Sequence, residues 1–196
     1  MNKNRPTPIE KGTNRLVLFP VDPAFRISNP GQLVQVLISI GFVVTPSKGK
    51  NNNSPVQPGE HFMRLLSFVG CSPSIASGEN PETYNNYSVD VIASNNHLTL
   101  IAGDRIKSPV CPVCNKRTGE VLGVDEITIE NNRVSWICPQ CEAVVPVEKI
   151  KWRNKLAVAK DYIQINGVFE GEVIPADKFL QDLANKTGIE WSYCYC

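Results

Sequence analysis

The sequence predicts an α+β fold, with two β-α-β-like units on a mixed sheet and a four-cysteine lobe inserted between them. Three observations carry this prediction. Residues 15–45 and 161–196 share one plan of strand, Pro-containing loop, helix, Gly and strand. Three helical patterns open with Pro and close with Gly. Between the two units lie four cysteines in matched pairs, at 111/114 and 138/141. The expected division is a polar tail over 1–14, an α+β domain over 15–105 and 151–196, and an insertion over 106–150. Residues 151–196 alone would bury too little apolar surface to be stable, so they should pack against 15–105.

The elements follow in order. RLVLFP at 15–20 reads as a short buried strand. Asn29 as N-cap and Pro30 at the first helical position start a helix. Leu33, Val36, Leu37 and Ile40 form its apolar stripe, which Val34 and Ile38 widen. Gly41 ends it, and 42–44 begins a return strand. A polar connection follows at 46–57. Pro58 starts a second helix, with Phe62, Leu65, Leu66 and Val69 at i, i+3, i+4 and i+7, and Gly70 stops it. Loops 46–58 and 72–86 are long for a domain of this size. SVDVIAS and HLTLIA flank Asn95-Asn96, which predicts a tight hairpin. ITIE and RVSW flank Asn131-Asn132 and predict a second hairpin, one that delivers Cys138. DYIQINGVF is a strand. Pro175 opens a helix that buries Phe179, Leu180 and Leu183 and ends at Gly188. IEWSYCYC alternates like a final strand.

Composition narrows the function classes. The 196 residues carry 20 Lys plus Arg against 19 Asp plus Glu, a net charge of +1. This excludes a globally basic nucleic-acid coat and a polyacidic chain. The 42% hydrophobic content suits a globular protein. The apolar run 33–44 is broken by Gln35 and is too short to span a bilayer. The first fifteen residues have charge but no apolar core, so no secretory signal is expected. The expectation is a cytoplasmic protein with no membrane partner.

The chain has seven cysteines, an odd count that argues against a fully paired disulfide framework. In CPVC and CPQC, two residues between cysteines let the backbone fold into a knuckle that aims both sulfurs at one point. Two knuckles supply the four thiolates of a tetrahedral metal site. A rubredoxin-like iron site and two independent redox pairs use similar motifs. Four thiolates leave no open position for water, which favours a structural over a catalytic metal. Over about residues 108–150 the two knuckles resemble those of zinc-ribbon proteins. The resemblance implies an inserted zinc-ribbon lobe with one structural Zn2+ on Cys111, Cys114, Cys138 and Cys141. In that family the residue after each knuckle is often Gly, because the backbone there needs positive φ. Here those positions hold Asn115 and Glu142. One divalent ion with four thiolates carries −2, which Lys116, Arg117, Lys149 and Lys151 are close enough in sequence to offset.

Charge elsewhere is uneven: +3 over 104–160 and −4 over 161–196. On a strand, Lys149, Lys151, Arg153 and Lys155 of KIKWRNK would share one face, with Ile150 and Trp152 on the other. That face is either a ridge that tracks phosphates or an edge strand whose lysines block unwanted pairing. His61 and Cys71 lie ten residues apart, about 15 Å on a helix, too far for a nucleophile pair. His97 reads as a hairpin surface residue. Cys194 and Cys196 would share a strand face, as small buried residues or as a metal or thiol-exchange pair. Trp191, Tyr193 and Tyr195 face the other way, as core or as a partner anchor. Asp22, Glu170 and Glu172 sit in turns beside strands.

The expected function is a non-enzymatic, zinc-stabilised adaptor that binds another protein through the ribbon hairpin and the terminal aromatic strand. One alternative is nucleic-acid binding through Lys149, Lys151, Trp152, Arg153 and Lys155. The other is an enzyme or accessory subunit with a site between the two β-α-β units.

Overall fold

The structure is a computed structural model that describes residues 9–11, 14–27, 29–44, 56–69, 87–93, 98–103, 106–117, 119, 121–122, 126–130 and 133–196. Cys71, Asn95, Asn96, His97, Asn131 and Asn132 lie outside the described residues, as do loop 72–86 and most of loop 46–58. In chain order the elements are β1 (Ile9–Lys11), β2 (Arg15–Pro20), α1 (Pro30–Ser39), α2 (Phe62–Leu65), β3 (Leu66–Phe68), β4 (Ser88–Ala93) and β5 (Thr99–Ala102). They continue with β6 (Ile127–Glu130), β7 (Arg133–Ile137), β8 (Val144–Pro146), β9 (Leu156–Ala159), β10 (Asp161–Asn166), β11 (Val173–Pro175), α3 (Asp177–Thr187) and β12 (Trp191–Tyr195).

The class is α+β. The central sheet has the order β12-β2-β10-β4, and every neighbouring pair is antiparallel. β2 and β4 therefore run one way and β10 and β12 the other, each like-directed pair parted by one strand. The chain forms two interleaved split units, β2-α1-β4 around β10 and β10-α3-β12 around β2. This corrects the expected mixed sheet. It also moves the first unit's return strand from 42–44 to β4. Gly41, at φ +73, turns the chain after α1, and Val43 makes only an isolated bridge to Pro58. Phe42 is then drawn into the core, its ring 4.9 Å from Phe62 and 4.4 Å from Phe179.

Asn29 caps α1 as its sequence predicts, its side chain accepting from Gly31 N–H at 2.9 Å. α3 starts two residues after Pro175, which belongs to β11, and ends at Gly188 with φ +74. Leu33, Leu37, Phe179 and Leu183 bury one face of the sheet, against Leu16, Leu18, Ile163 and Ile165. Each such side chain contributes about 1.5–3 kcal/mol on leaving water. The expected second helix is a single turn, α2, and its continuation is β3, paired with β11. The helical period fits Phe62, Leu65 and Leu66, all buried, but Val69 is 57% exposed. Pairing with β11 claims the backbone of 66–68 and overrides the period.

Val17, Tyr162 and Cys194 on the other face are covered by Ile101 of β5 and by Ala157 and Ala159 of β9. β4 and β5 do not form the expected hairpin. They pair in succession along the single run 156–166, with Ala93 opposite Asp161 and Thr99 opposite Ala159. The long partner satisfies both strands and lets each bury its own face, Val89 under the helices and Ile101 beneath the sheet. β1, in the stretch expected to be a polar tail, pairs parallel with β5. The cysteine lobe lies between β5 and β9 in the chain. Its Trp136, Val145 and Ile150 share one hydrophobic cluster with Leu100, Leu156 and Val158 of those strands.

Candidate metal centre and cationic cleft

The first knuckle is closed by backbone bonds. Cys111 N–H donates to Lys116 O at 2.9 Å, and Asn115 N–H donates to Cys111 O at 2.9 Å. The second repeats the pattern, with Cys138 N–H to Ala143 O at 3.0 Å and Glu142 N–H to Cys138 O at 2.8 Å. Asn115 and Glu142, the positions marked by the sequence, have φ +56 and +57. Asn tolerates that region. Glu does so at a cost of about 1–2 kcal/mol. β6, β7 and β8 form a three-stranded antiparallel sheet, and β7 leads into Cys138. Glu130 pairs with Arg133, so two residues join β6 and β7, as expected of a tight hairpin.

The fold brings the four sulfurs within 4.8 Å of one another, and they can hold a metal ion. The Cys111–Cys141 and Cys114–Cys138 Sγ separations are both 3.8 Å. A tetrahedron with metal–sulfur bonds of about 2.3 Å has edges of about 3.8 Å, whereas a disulfide needs about 2.05 Å. Cys111 and Cys138 are buried and Cys141 is exposed. Burial pushes the Cys111 thiol up, but the Cys114 and Val113 N–H groups and the neighbouring thiols outweigh it and lower the pKa to about 7. At Cys141 the Ala143 N–H favours the thiolate, yet burial and the three other sulfurs raise the pKa to about 12. Four thiols this close cannot all ionise without a cation among them. Trp136 packs behind them, fully buried, with Nε1 donating to Glu126 at 2.8 Å.

The basic segment is not a strand. Residues 147–149 form a 3-10 turn, and Arg153 and Asn154 are both left-handed, at φ +53 and +58. Trp152 Nε1 donates to Val147 O at 2.8 Å, and Ile150 is buried in the lobe cluster. This loop replaces alternation along a strand as the reason the charges converge. Lys149, Lys151, Arg153 and Lys155 line one cleft of about 720 Å³, together with Lys107 and Arg117 from the first knuckle. Among the described residues Glu170 is the one acid in its wall, and it pairs with Lys155. Trp152 stands in the same wall, partly exposed.

No family model, curated protein or solved structure matches this chain. The chemistry of the site therefore rests on its own residues. Lys107 and Arg117 extend the candidate nucleic-acid residues beyond 149–155. A charge count along the chain places them near the cysteines, but only the folded knuckle turns them toward 149–155.

The remaining candidates have local roles. His61 Nδ1 lies 3.1 Å from Ile40 O, and its ring packs on Gly41. Asp22 accepts from Ala24 N–H at 2.9 Å and Glu172 from Phe169 N–H at 3.1 Å, which ties both to their turns. Trp191 and Tyr195 are buried, and Tyr195 donates to Val173 O at 2.6 Å, so these two rings belong to the core, while Ser192 and Tyr193 are half-buried. Cys194 and Cys196 are buried with their sulfurs 3.7 Å apart. Phe42, just past α1, stacks on Phe179 of α3 at 4.4 Å.

Proposed function

We propose that this protein binds nucleic acid along the cleft between the first knuckle and the 149–155 loop, in a lobe held together by one structural Zn2+ on Cys111, Cys114, Cys138 and Cys141. The observation that carries the reading is the convergence of six cations from two separate segments on one cleft with a single acid among its described lining residues. The block to edge pairing that lysines give a strand does not apply to a looped segment. Cations spaced along a cleft match the repeating charge of a phosphate backbone. The zinc cross-links the knuckles and offers no open coordination position, so it supplies stability and not catalysis. What supports zinc is the all-thiolate set at tetrahedral spacing.

Binding of this kind releases counterions and must weaken steeply with salt. Titration of the metal-loaded chain with labelled oligonucleotides between about 50 and 200 mM salt should show a linear fall of log affinity against log salt. The double variant Lys151→Glu/Arg153→Glu should bind at least tenfold more weakly, with a slope smaller by about 1–2, and should keep its full metal content. Binding that ignores salt and both substitutions would sink this reading. Protein docking keeps one observation in its favour, the exposed Val113 and Val144 beside the knuckles. Co-purification of a stoichiometric protein partner, lost on Val113→Asp, would replace the nucleic-acid reading with it.

A further inference from the structure

The cationic cleft has a neighbour. A second cavity of about 530 Å³ lies on the other side of the same loop, and the two share Ile150–Arg153 as a common wall. Its character differs. Phe19, Val21 and Trp152 line it, none of them fully buried, and Glu148 is the one acid among its described lining residues. Lys151 and Arg153 belong to both cavities, so charge complementary to phosphate stands at the edge of an aromatic slot. Ser192 and Asn154, also in its lining, provide polar groups for a base edge.

Resting on the nucleic-acid reading above, we propose that the ligand is single-stranded, with its phosphates along the cationic cleft and one unstacked base in this slot. A strand whose bases are free can place its backbone on one side of the 150–153 loop and a base on the other. A duplex keeps its bases paired inside and can offer the cleft only its phosphates. Aromatic rings serve any base because every base has a π face, so the slot confers preference for single strands with little preference for sequence. Indirect support comes from how the loop is braced. The Trp152 indole is fixed by its bond to Val147 O, and Asn154 O accepts from Tyr195 N–H at 2.8 Å, so the shared wall is held from both ends.

The test compares four probes of equal length on the metal-loaded full chain at one salt concentration: single-stranded DNA, single-stranded RNA, the DNA duplex and an abasic strand with the same phosphates. The intact strands should bind about tenfold more tightly than the abasic strand and the duplex. That advantage should vanish in Trp152→Ala, which also weakens abasic binding because the indole braces the cleft wall, and should fall severalfold in the uncharged Val21→Gln, which lies outside the cleft and leaves abasic binding unchanged. Val21 is 47% exposed, so its substitution tests the slot without disturbing the loop. Better binding of one intact strand than the other identifies whether DNA or RNA is the ligand, and either supports the slot. Equal binding of intact and abasic strands, with steep salt dependence, overturns the slot and leaves the cleft reading standing. No salt-dependent binding of any probe overturns both.

Discussion

The helix-covered face of the central sheet and the cysteine lobe are held by different means. Under α1 and α3, many side chains from β2, β10, β12 and both helices share one core, so its stability is spread over many contacts. The lobe has three short strands and one fully buried large ring, Trp136. Its backbone turns converge instead on four sulfurs within 4.8 Å. Spread stability degrades gradually with each substitution. Concentrated stability is lost at once when its centre is lost. The same concentration makes the lobe a firm support for the cleft, because Lys107 and Arg117 flank the first knuckle.

The lobe should fail as a unit when its metal centre is removed. Metal binding to such a site is worth about 10–16 kcal/mol to the folded lobe. Cys138→Ser, or a strong chelator, should abolish stoichiometric metal and expose Trp136, read as a red shift in its fluorescence. Circular dichroism from α1 and α3 should persist. Cys71→Ser, outside the described residues, should leave metal content unchanged. Complete loss of helical signal on metal removal would mean that the cluster joining Trp136 to Leu100, Leu156 and Val158 makes the two regions one cooperative unit.

The converse substitution is smaller. Phe179→Ala removes a ring stacked on Phe42 at 4.4 Å and should cost about 3–5 kcal/mol by denaturant unfolding. One metal per folded chain should remain. Loss of metal at denaturant concentrations where the variant is still folded would contradict the independence of the two supports.

How much of this was legible in the sequence follows the same division. Cys-x-x-Cys spacing is local chemistry, so the convergence of the four sulfurs could be read directly, and the resemblance to zinc-ribbon knuckles marked the left-handed positions 115 and 142. The Asn29 cap and Gly188 stop are local too. What failed was partner choice. β4 and β5 have hairpin-like sequences, but the run 156–166 pairs with both across more than fifty residues of chain, and no local signal encodes that. Likewise Leu66–Phe68 obeys a helical period and is a strand because β11 lies beside it. The basic segment was found from its charges. Its looped shape depends on two successive left-handed residues, Arg153 and Asn154, of which only Asn is a residue that signals such a turn.

The lobe can also be strengthened at one backbone position. Glu142 holds φ +57 because the second knuckle turns there, and the Glu142 N–H bond to Cys138 O keeps it in place. Glu142→Gly removes a left-handed strain of about 1–2 kcal/mol and returns about 0.5–1 kcal/mol through the freer unfolded chain. The net gain should be about half a kcal/mol, read as tighter metal retention against a chelator. Asn115→Gly, at the matching position of the first knuckle, relieves less strain because Asn visits this region readily, and it should be neutral or slightly destabilising. A gain at 142 with none at 115 would show that the two knuckles differ in backbone cost while sharing one geometry. Equal effects at both sites would mean that the sulfur cluster, and not the turn residue, sets the stability of each knuckle.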